Sequence, residues 1–434
     1  MKRGNFWALL PLLIFIVLYF STSLYFNDFY KIPVLVLFVF SLLFAFLQFP
    51  KKPIGEKLTA FGQGAGNENI LLMIVIFLLA GGFGALSNEI GSITSTINFA
   101  LSYIHPGWVI SGLFIVSCFI SLSLGTSVGT IAAVAPIAVG LESTIEGSMA
   151  LGLAAVVGGA MFGDNLSFIS DTTIAATRTQ GVNMRDKFLV NYKIVTPAAL
   201  LTCIIYGLMG HQLHTVDIDP MQLDYDFIKI LPYLCVLLLA LMGLHVIWVL
   251  VIGVFLSLII GLTTQSISFF EGMEAINAGF AGMFELSVLC LIIGGVVGII
   301  RFHGGIDYLI HHIGKRVNSH KTAELGIFCL TAAVNATIAN NTITILIVGP
   351  LAKDIAEKNQ VDLKRSASIL DTTSCFIQGV LPYGAQVLAA IAAASSLISP
   401  FAILQYLYYP LLTGVATFIF VLLKKNVKAA TLSK

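Results

Sequence analysis

Residues 125–142 read GTSVGTIAAVAPIAVGLE, and residues 339–356 read ANNTITILIVGPLAKDIA. Each places a short polar cluster, Gly125-Thr126-Ser127 or Asn340-Asn341-Thr342, inside an apolar stretch (108–141 and 322–356). At an offset of 214 positions Thr130 meets Thr344, Ile131 meets Ile345 and Pro136 meets Pro350. The same offset lays FGDNLSFIS (162–170) on FIQGVLPYG (376–384), and an offset of 213 lays GGFGALSNEIGSI (81–93) on GGVVGIIRFHGGI (294–306). A register held from residue 81 to residue 170 marks an internal repeat. It divides the chain into a first unit, 1–228, and a second, 229–434.

The rest of the sequence says where such units reside. Of 434 residues, 57% are hydrophobic and only 10% charged, with a mean hydropathy of +0.95. A soluble domain carries about 25% charged residues, so this chain cannot cover a globule with polar surface. Apolar runs near the ~20 residues that span a bilayer lie at 7–26, 32–49, 69–88, 147–178, 187–209, 229–243, 246–263, 284–301, 366–398 and 401–423. The fold class is therefore an all-α polytopic membrane protein, with ten full spans and two re-entrant hairpins at 108–141 and 322–356. The first run, Trp7–Phe26, is long enough to span and ends in no small-residue cleavage site, so no cleavable signal peptide is expected.

With the N-terminus in the cytoplasm, 21 of the 23 Lys and Arg residues fall inside, leaving only Lys31 and Lys229 outside. The acidic stretch HTVDIDPMQLDYD (214–226) falls outside as well. This split follows the positive-inside rule and gives an N-in, C-in topology. Five spans separate the starts of the two units, so the units are inverted and the hairpins enter from opposite faces. Basic residues stand singly or in pairs, which argues against nucleic-acid binding. The six cysteines lie apart in apolar runs without CxxC spacing, and no HxxxH or HExxH occurs; His311–His312 reads as a solvated loop pair.

Inverted repeats with interrupted helices belong to secondary transporters. Irregular backbone is tolerated at membrane depth only where it is buried in protein or lines a wet cavity. Four interruptions qualify: the two hairpin tips, and breaks at Gly163–Ser170 and Gln378–Gly384, the latter with Pro382. Carbonyls freed there, with hydroxyls and amides, form the hard oxygen set that Na⁺ accepts, while half-helix N-termini favour anions.

FGDNLSFISDTT (162–173) adds charge. An ionised Asp at the bilayer centre costs about 2.5–3.5 kcal/mol, so it needs a partner or a proton. A carboxylate neutralised by Na⁺ and H⁺ in turn is the minimal antiporter. Asp164, at the break, is the central candidate. Asp171 is read either as a second cation ligand or as the cap of the next half-helix, followed by Thr172 and Thr173. Asp371, in LDTTSC, is read as a second buried acid or as the partner of a base such as Arg178 or Arg301. Asn335 is expected to bond the hairpin backbone. Gly81-Gly82, Gly158-Gly159 and Gly294-Gly295 read as helix-packing contacts.

GTSVGT (125–130), FGDNLSFISDTT (162–173) and NATIANNTITILIVGP (335–350) together resemble the NhaC family of Na⁺/H⁺ antiporters, in the ion-transporter superfamily. The resemblance implies Na⁺ export with Asp164, Ser167, Ser170, Asp171, Thr172 and Thr173 at the ion site; the reading of the segment adds Asn165, with Asp164 and Asp171 as the metal ligands. Thr126, Ser127, Asn340, Asn341, Thr342, Gln378 and Asp371 complete the expected binding set. It further implies an elevator motion on a homodimeric scaffold, in the cytoplasmic (inner) membrane of a prokaryote, with Na⁺ and H⁺ as transported ions and no cofactor. Phe168 stands where the family often has proline.

The same clan includes carriers that couple Na⁺ or H⁺ to organic acids or amino acids, which keeps a small organic solute open. An intramembrane aspartyl protease fits less well: Asp371 follows Leu370 rather than Tyr, the GD lies in the first half, and a repeat serves no purpose there. A channel also fits less well, because opposed hairpins suit alternating access better than a continuous pore. The protein is expected to be a transporter and no enzyme.

Overall fold

The computed structural model describes residues 4–26, 32–167, 170–213, 224–242, 244–314, 319–395 and 397–423. Phe168 lies outside them. Helices fill the described residues, with no β-strand among them. Six described helices are long and apolar enough to cross a membrane. A bent pair, Leu363–Val380 with Ala385–Ala393, makes a seventh at an angle of 42°, and five more apolar helices are shorter. Each of the ten expected spans overlaps one of these helices or pairs, four of them one of the shorter helices, Phe6–Tyr19, Val34–Leu47, Phe227–Leu239 and Tyr408–Leu422. By length and apolarity Pro106–Leu124, the first arm of the first hairpin, also ranks with the spans.

Helix boundaries recur along the chain near the offset of the sequence repeat. Hairpin 1 has arms Pro106–Leu124 and Ser127–Gly140; hairpin 2 has arms His320–Ile338 and Asn341–Lys358. Broken helix 1 comprises Ser148–Leu166 and Asp171–Gln180, and broken helix 2 comprises Leu363–Val380 and Ala385–Ala393. Upstream, Ile54–Ala65 and Glu68–Glu89 correspond to Phe269–Gly282 and Phe284–Phe302.

Four of the helices, Ile54–Ala65, Ser92–Tyr103, Phe269–Gly282 and Gly305–Gly314, fall outside the expected spans and hairpins. All are short, and polar or glycine residues interrupt them, so hydropathy passes over them. The last contains His311 and His312, which are helical and not a loop pair.

Packing exchanges partners between the two sets of helices. Ile54–Ala65 lies on Phe284–Phe302, and Phe269–Gly282 lies on Glu68–Glu89. Both crossings close on glycine: a Cβ on Gly64 would run into the Gly294 carbonyl, and one on Gly279 into that of Gly81. Without a hydrophobic drive in lipid, such close backbone approach is what holds helices together. The broken helices exchange partners too. Asp171–Gln180 packs on the second arm of hairpin 2, and Ala385–Ala393 on the second arm of hairpin 1.

Both tips turn through a left-handed residue, Gly125 at φ 69° and Ala339 at φ 52°. The next residue then caps the following arm: the Thr126 side chain accepts from the Gly129 N–H, and that of Asn340 from the Ile343 N–H.

Candidate ion site between the hairpin tips and the helix breaks

The two tips and the two breaks converge on one cavity of about 70 Å³. Its polar wall is Thr126, Ser127, Asp164, Ser170, Asp171, Thr172, Asn340, Asn341, Thr342, Gln378 and Gln386, and Leu72, Met73 and Ile76 of Glu68–Glu89 close it on the apolar side. The side chains reach it because their helices stop there. Ser148–Leu166 ends as Ser167 turns to extended backbone, and the chain re-enters a helix at Asp171 with Ser170 as N-cap.

Asp164, only 4% exposed, is the one carboxylate buried in this wall. The backbone N–H of Ser127 donates to its Oδ1 at 3.1 Å, and the Ser127 hydroxyl donates to its Oδ2 at 2.5 Å. Gln386 Nε2 in turn donates to the Ser127 hydroxyl at 3.0 Å. Tip 1, break 1 and the helix after break 2 thus form one chain of hydrogen bonds. The Asp164 carbonyl, in the last turn before the break, accepts from Thr172 at 3.0 Å and Thr173 at 3.4 Å. Asp171 is exposed toward the same cavity. The capping role considered for it is corrected: Ser170 is the N-cap, Asp171 makes no cap hydrogen bond, and the Ser170 hydroxyl pairs with that of Thr172 at 2.9 Å.

Four expected site residues do not line the cavity. Asn165 points the other way, its amide donating to the Met161 carbonyl and to the Tyr409 hydroxyl. The Ser167 hydroxyl donates to the Leu122 carbonyl at 2.8 Å, tying the break to hairpin 1. Thr173 and Asp371 lie behind the break. Asp371, 0% exposed, pairs with Lys187 at 2.7 Å rather than with Arg178 or Arg301.

Lys187, counted with the inside basic residues in the sequence, is buried within the protein. It is 1% exposed, and its ammonium donates to Asp371 Oδ2, to the Asn165 carbonyl at 2.8 Å and to the Thr173 hydroxyl at 2.7 Å. Asn191 reinforces it, donating to the same carbonyl at 2.9 Å and the same carboxylate oxygen at 2.6 Å. A lysine just inside a helix start reads as surface charge in sequence, so its burial leaves no local signature. Gln386 did leave one, as the only polar side chain in Ala385–Ala393.

On the second half the tip is pinned as well. Gln378 Nε2 donates to the Ala339 carbonyl at 2.8 Å. Asn335 does not bond the hairpin backbone as expected: its amide donates to the Ser374 carbonyl of broken helix 2 at 2.6 Å, and its Oδ1 accepts from the Thr344 hydroxyl of the hairpin. The equivalent bond in the first half runs from Ser121 to the Ala160 carbonyl at 2.5 Å. Both donors and both acceptors stand 214 positions apart.

The donor set is hydroxyls, amides, freed carbonyls and carboxylates, which suits a hard monovalent cation. Among the described residues no three His, Cys, Asp or Glu gather as a transition-metal site would need.

Against known proteins, the model of the Na⁺/H⁺ antiporter family matches residues 4–211 and 228–425. The Na(+)/H(+) antiporter NhaC of Alkalihalophilus pseudofirmus is 24% identical over 342 residues, 72% of this chain and 73% of that protein. The Malate-2H(+)/Na(+)-lactate antiporter of Bacillus subtilis is 26% identical over 307 residues, 67% and 64% of the two chains. Among solved structures, the Alcanivorax borkumensis YdaH transporter matches with a TM-score of 0.42 and 14% identity, over 84% of this chain and 86% of that one. The family match extends through both halves and includes every wall of the cavity. This integral membrane protein is a secondary transporter of the Na⁺/H⁺ antiporter family.

Proposed function

We propose that the protein exchanges cytoplasmic Na⁺ for external H⁺, with Asp164 as the carboxylate that binds each in turn. The observation that carries this is the Ser127–Asp164 contact: the only buried carboxylate of the cavity wall is held by a hairpin tip at 2.5 and 3.1 Å. A cavity of about 70 Å³ suits a stripped cation with a water or two. With Na⁺ bound, Asp164 is neutralised by the cation. With the cation gone, a proton neutralises it, so the site crosses the membrane uncharged either way. The proposal places the protein in the cytoplasmic membrane, N-in and C-in. The two units are inverted, and a transport body that carries both hairpin tips, one from each unit, slides elevator-like on a homodimeric scaffold.

Everted vesicles without organic solute test it. The wild type is expected to move protons on Na⁺ addition, whereas Asp164→Asn reaches the membrane folded and moves none. Wild-type activity in that variant, or no Na⁺-dependent proton movement in the wild type, overturns the reading.

One observation favours a second reading, a cation-coupled carrier of a small organic acid. A cavity of about 340 Å³ shares Met73, Asn340 and Ala385 with the ion cavity and is lined further by Gln63, Asn67 and Arg301. It is far larger than an alkali cation needs, and it offers a guanidinium to a carboxylate. Na⁺-driven uptake of a labelled monocarboxylate, absent in Arg301→Gln, would establish this reading over the first.

A further inference from the structure

Beside the break, among residues that do not line the ion cavity, three oxygens surround one point. They are Asp371 Oδ2, the Asn165 main-chain carbonyl and the Thr173 hydroxyl. A carboxylate, a carbonyl and a hydroxyl are the ligand classes of an alkali-cation site, and the point they surround holds the Lys187 ammonium at 2.7, 2.8 and 2.7 Å.

An ammonium has three donors and unit charge in a compact head, so it satisfies three oxygens as a small monovalent cation would. The cage is preformed by other groups. Asn191 Nδ2 bridges two of the same oxygens, and the Ser368 hydroxyl fixes Asn191 by donating to its Oδ1 at 2.6 Å. The second oxygen of Asp371, Oδ1, is buried and accepts no hydrogen bond among the described residues, although the Thr172 hydroxyl lies close to the carboxylate. That leaves capacity for a ligand with more than three directed contacts, which an alkali ion has and an ammonium lacks.

The cage and the ion cavity are two faces of one broken segment. Asp164 turns its side chain to the cavity and its carbonyl to Thr172 and Thr173, while Asn165 turns its carbonyl to Lys187.

We propose that Lys187 is a tethered cation occupying a second alkali-cation site, so that one exchangeable Na⁺ binds per chain and removal of the ammonium opens the cage to Na⁺. The chain carries its second positive charge covalently, and one ion is left to exchange. The count of one rests on the reading of Asp164; the cage itself does not.

Purified wild type, Lys187→Ala and Lys187→Ala/Asp371→Asn are compared by thermal unfolding in NaCl and in choline chloride. Binding to the native state raises the midpoint. Lys187→Ala is expected to gain about 3 °C or more from Na⁺ beyond the wild-type gain. The double variant is expected to return to the wild-type gain, because the caged charge has left. An equal gain in all three proteins, or an extra gain that survives Asp371→Asn, overturns the proposal. So does failure to recover Lys187→Ala folded from Na⁺ medium when the double variant folds, since Na⁺ has then not filled the cage.

Equilibrium dialysis of the wild type against labelled Na⁺ decides independently of any variant: one ion per chain supports the proposal and two overturn it. Adding Asp164→Asn separates the two sites. It is expected to remove the wild-type gain while leaving the extra gain of Lys187→Ala. A wild-type gain that survives Asp164→Asn overturns the reading of Asp164 alone, and loss of the extra gain with Asp164→Asn overturns the separate cage.

Discussion

At the scale of single residues, the proposed function turns on one hydroxyl and one carboxylate. Ser127 gives Asp164 a backbone N–H and an O–H, and its oxygen receives Gln386. A hydrogen bond to a charged group contributes about 1.5–3 kcal/mol. Ser127→Ala removes the hydroxyl, keeps the backbone donor and leaves Gln386 without its acceptor. The half-saturating Na⁺ concentration is expected to rise about tenfold or more, with the protein still folded, as measured by Na⁺-dependent proton movement in vesicles. Asp164 was legible in the sequence because an acid beside a glycine in an apolar run must be neutralised by a cation or a proton. Lys187 was not: a lysine next to Asp186 at a helix start is what a cytoplasmic helix end looks like. Only the fold shows that broken helix 2 brings Asp371 to it. Asn165 and Ser167 are expected at the site from the sequence, yet their side chains bond the Met161 and Leu122 carbonyls instead. A motif marks residues that share a segment, and the helix that still holds Asn165 turns its side chain from that of Asp164, while Ser167 stands where the backbone becomes extended.

At the scale of elements, the hairpin tips are where sequence and structure agree most closely. Apolar flanks around a polar cluster, repeated 214 positions on, locate both tips from the sequence alone. The short helices Ile54–Ala65 and Phe269–Gly282 escaped because hydropathy over a span-length window does not respond to a short helix with mixed faces. The two tips still differ in one backbone residue. Gly125 takes the left-handed turn of hairpin 1 without steric cost, whereas the equivalent Ala339 holds φ 52° against its Cβ. An L-residue pays about 1–2 kcal/mol there, part of which glycine returns through its more disordered unfolded state. Ala339→Gly is therefore expected to stabilise the protein by about 0.5–1 kcal/mol, read as a higher thermal midpoint in detergent. The Cβ of Ala339 is absent from the chain of bonds to Asp164, so the Na⁺ dependence of transport is expected to stay unchanged.

At the scale of the whole molecule, the structure sets two large cavities on either side of the ion site. One, of about 340 Å³, runs between Phe284–Phe302 and hairpin 2 and ends at Arg301; the other, of about 460 Å³, runs between Glu68–Glu89 and hairpin 1 and ends at Asn88 and Glu89. Val297 lines the first and Gly84 the second, and they stand 213 positions apart, the offset of this part of the repeat. If the two units are inverted, equivalent positions face opposite sides, and Arg301 marks the cytoplasmic one. A Cβ at Gly84 would meet only the Pro136 ring at 3.6 Å, so a cysteine fits there. In a background with the six native cysteines replaced, a membrane-impermeant thiol reagent is expected to label Val297→Cys from the cytoplasmic side and Gly84→Cys from the outside. Labelling of both from one side would remove the inverted topology and, with it, the elevator motion. Protection of Val297→Cys by Na⁺, lost on Asp164→Asn, would go further. It would link the cavity that adjoins the ion site to occupancy of that site, since the two share Met73, Asn340 and Ala385 as common walls.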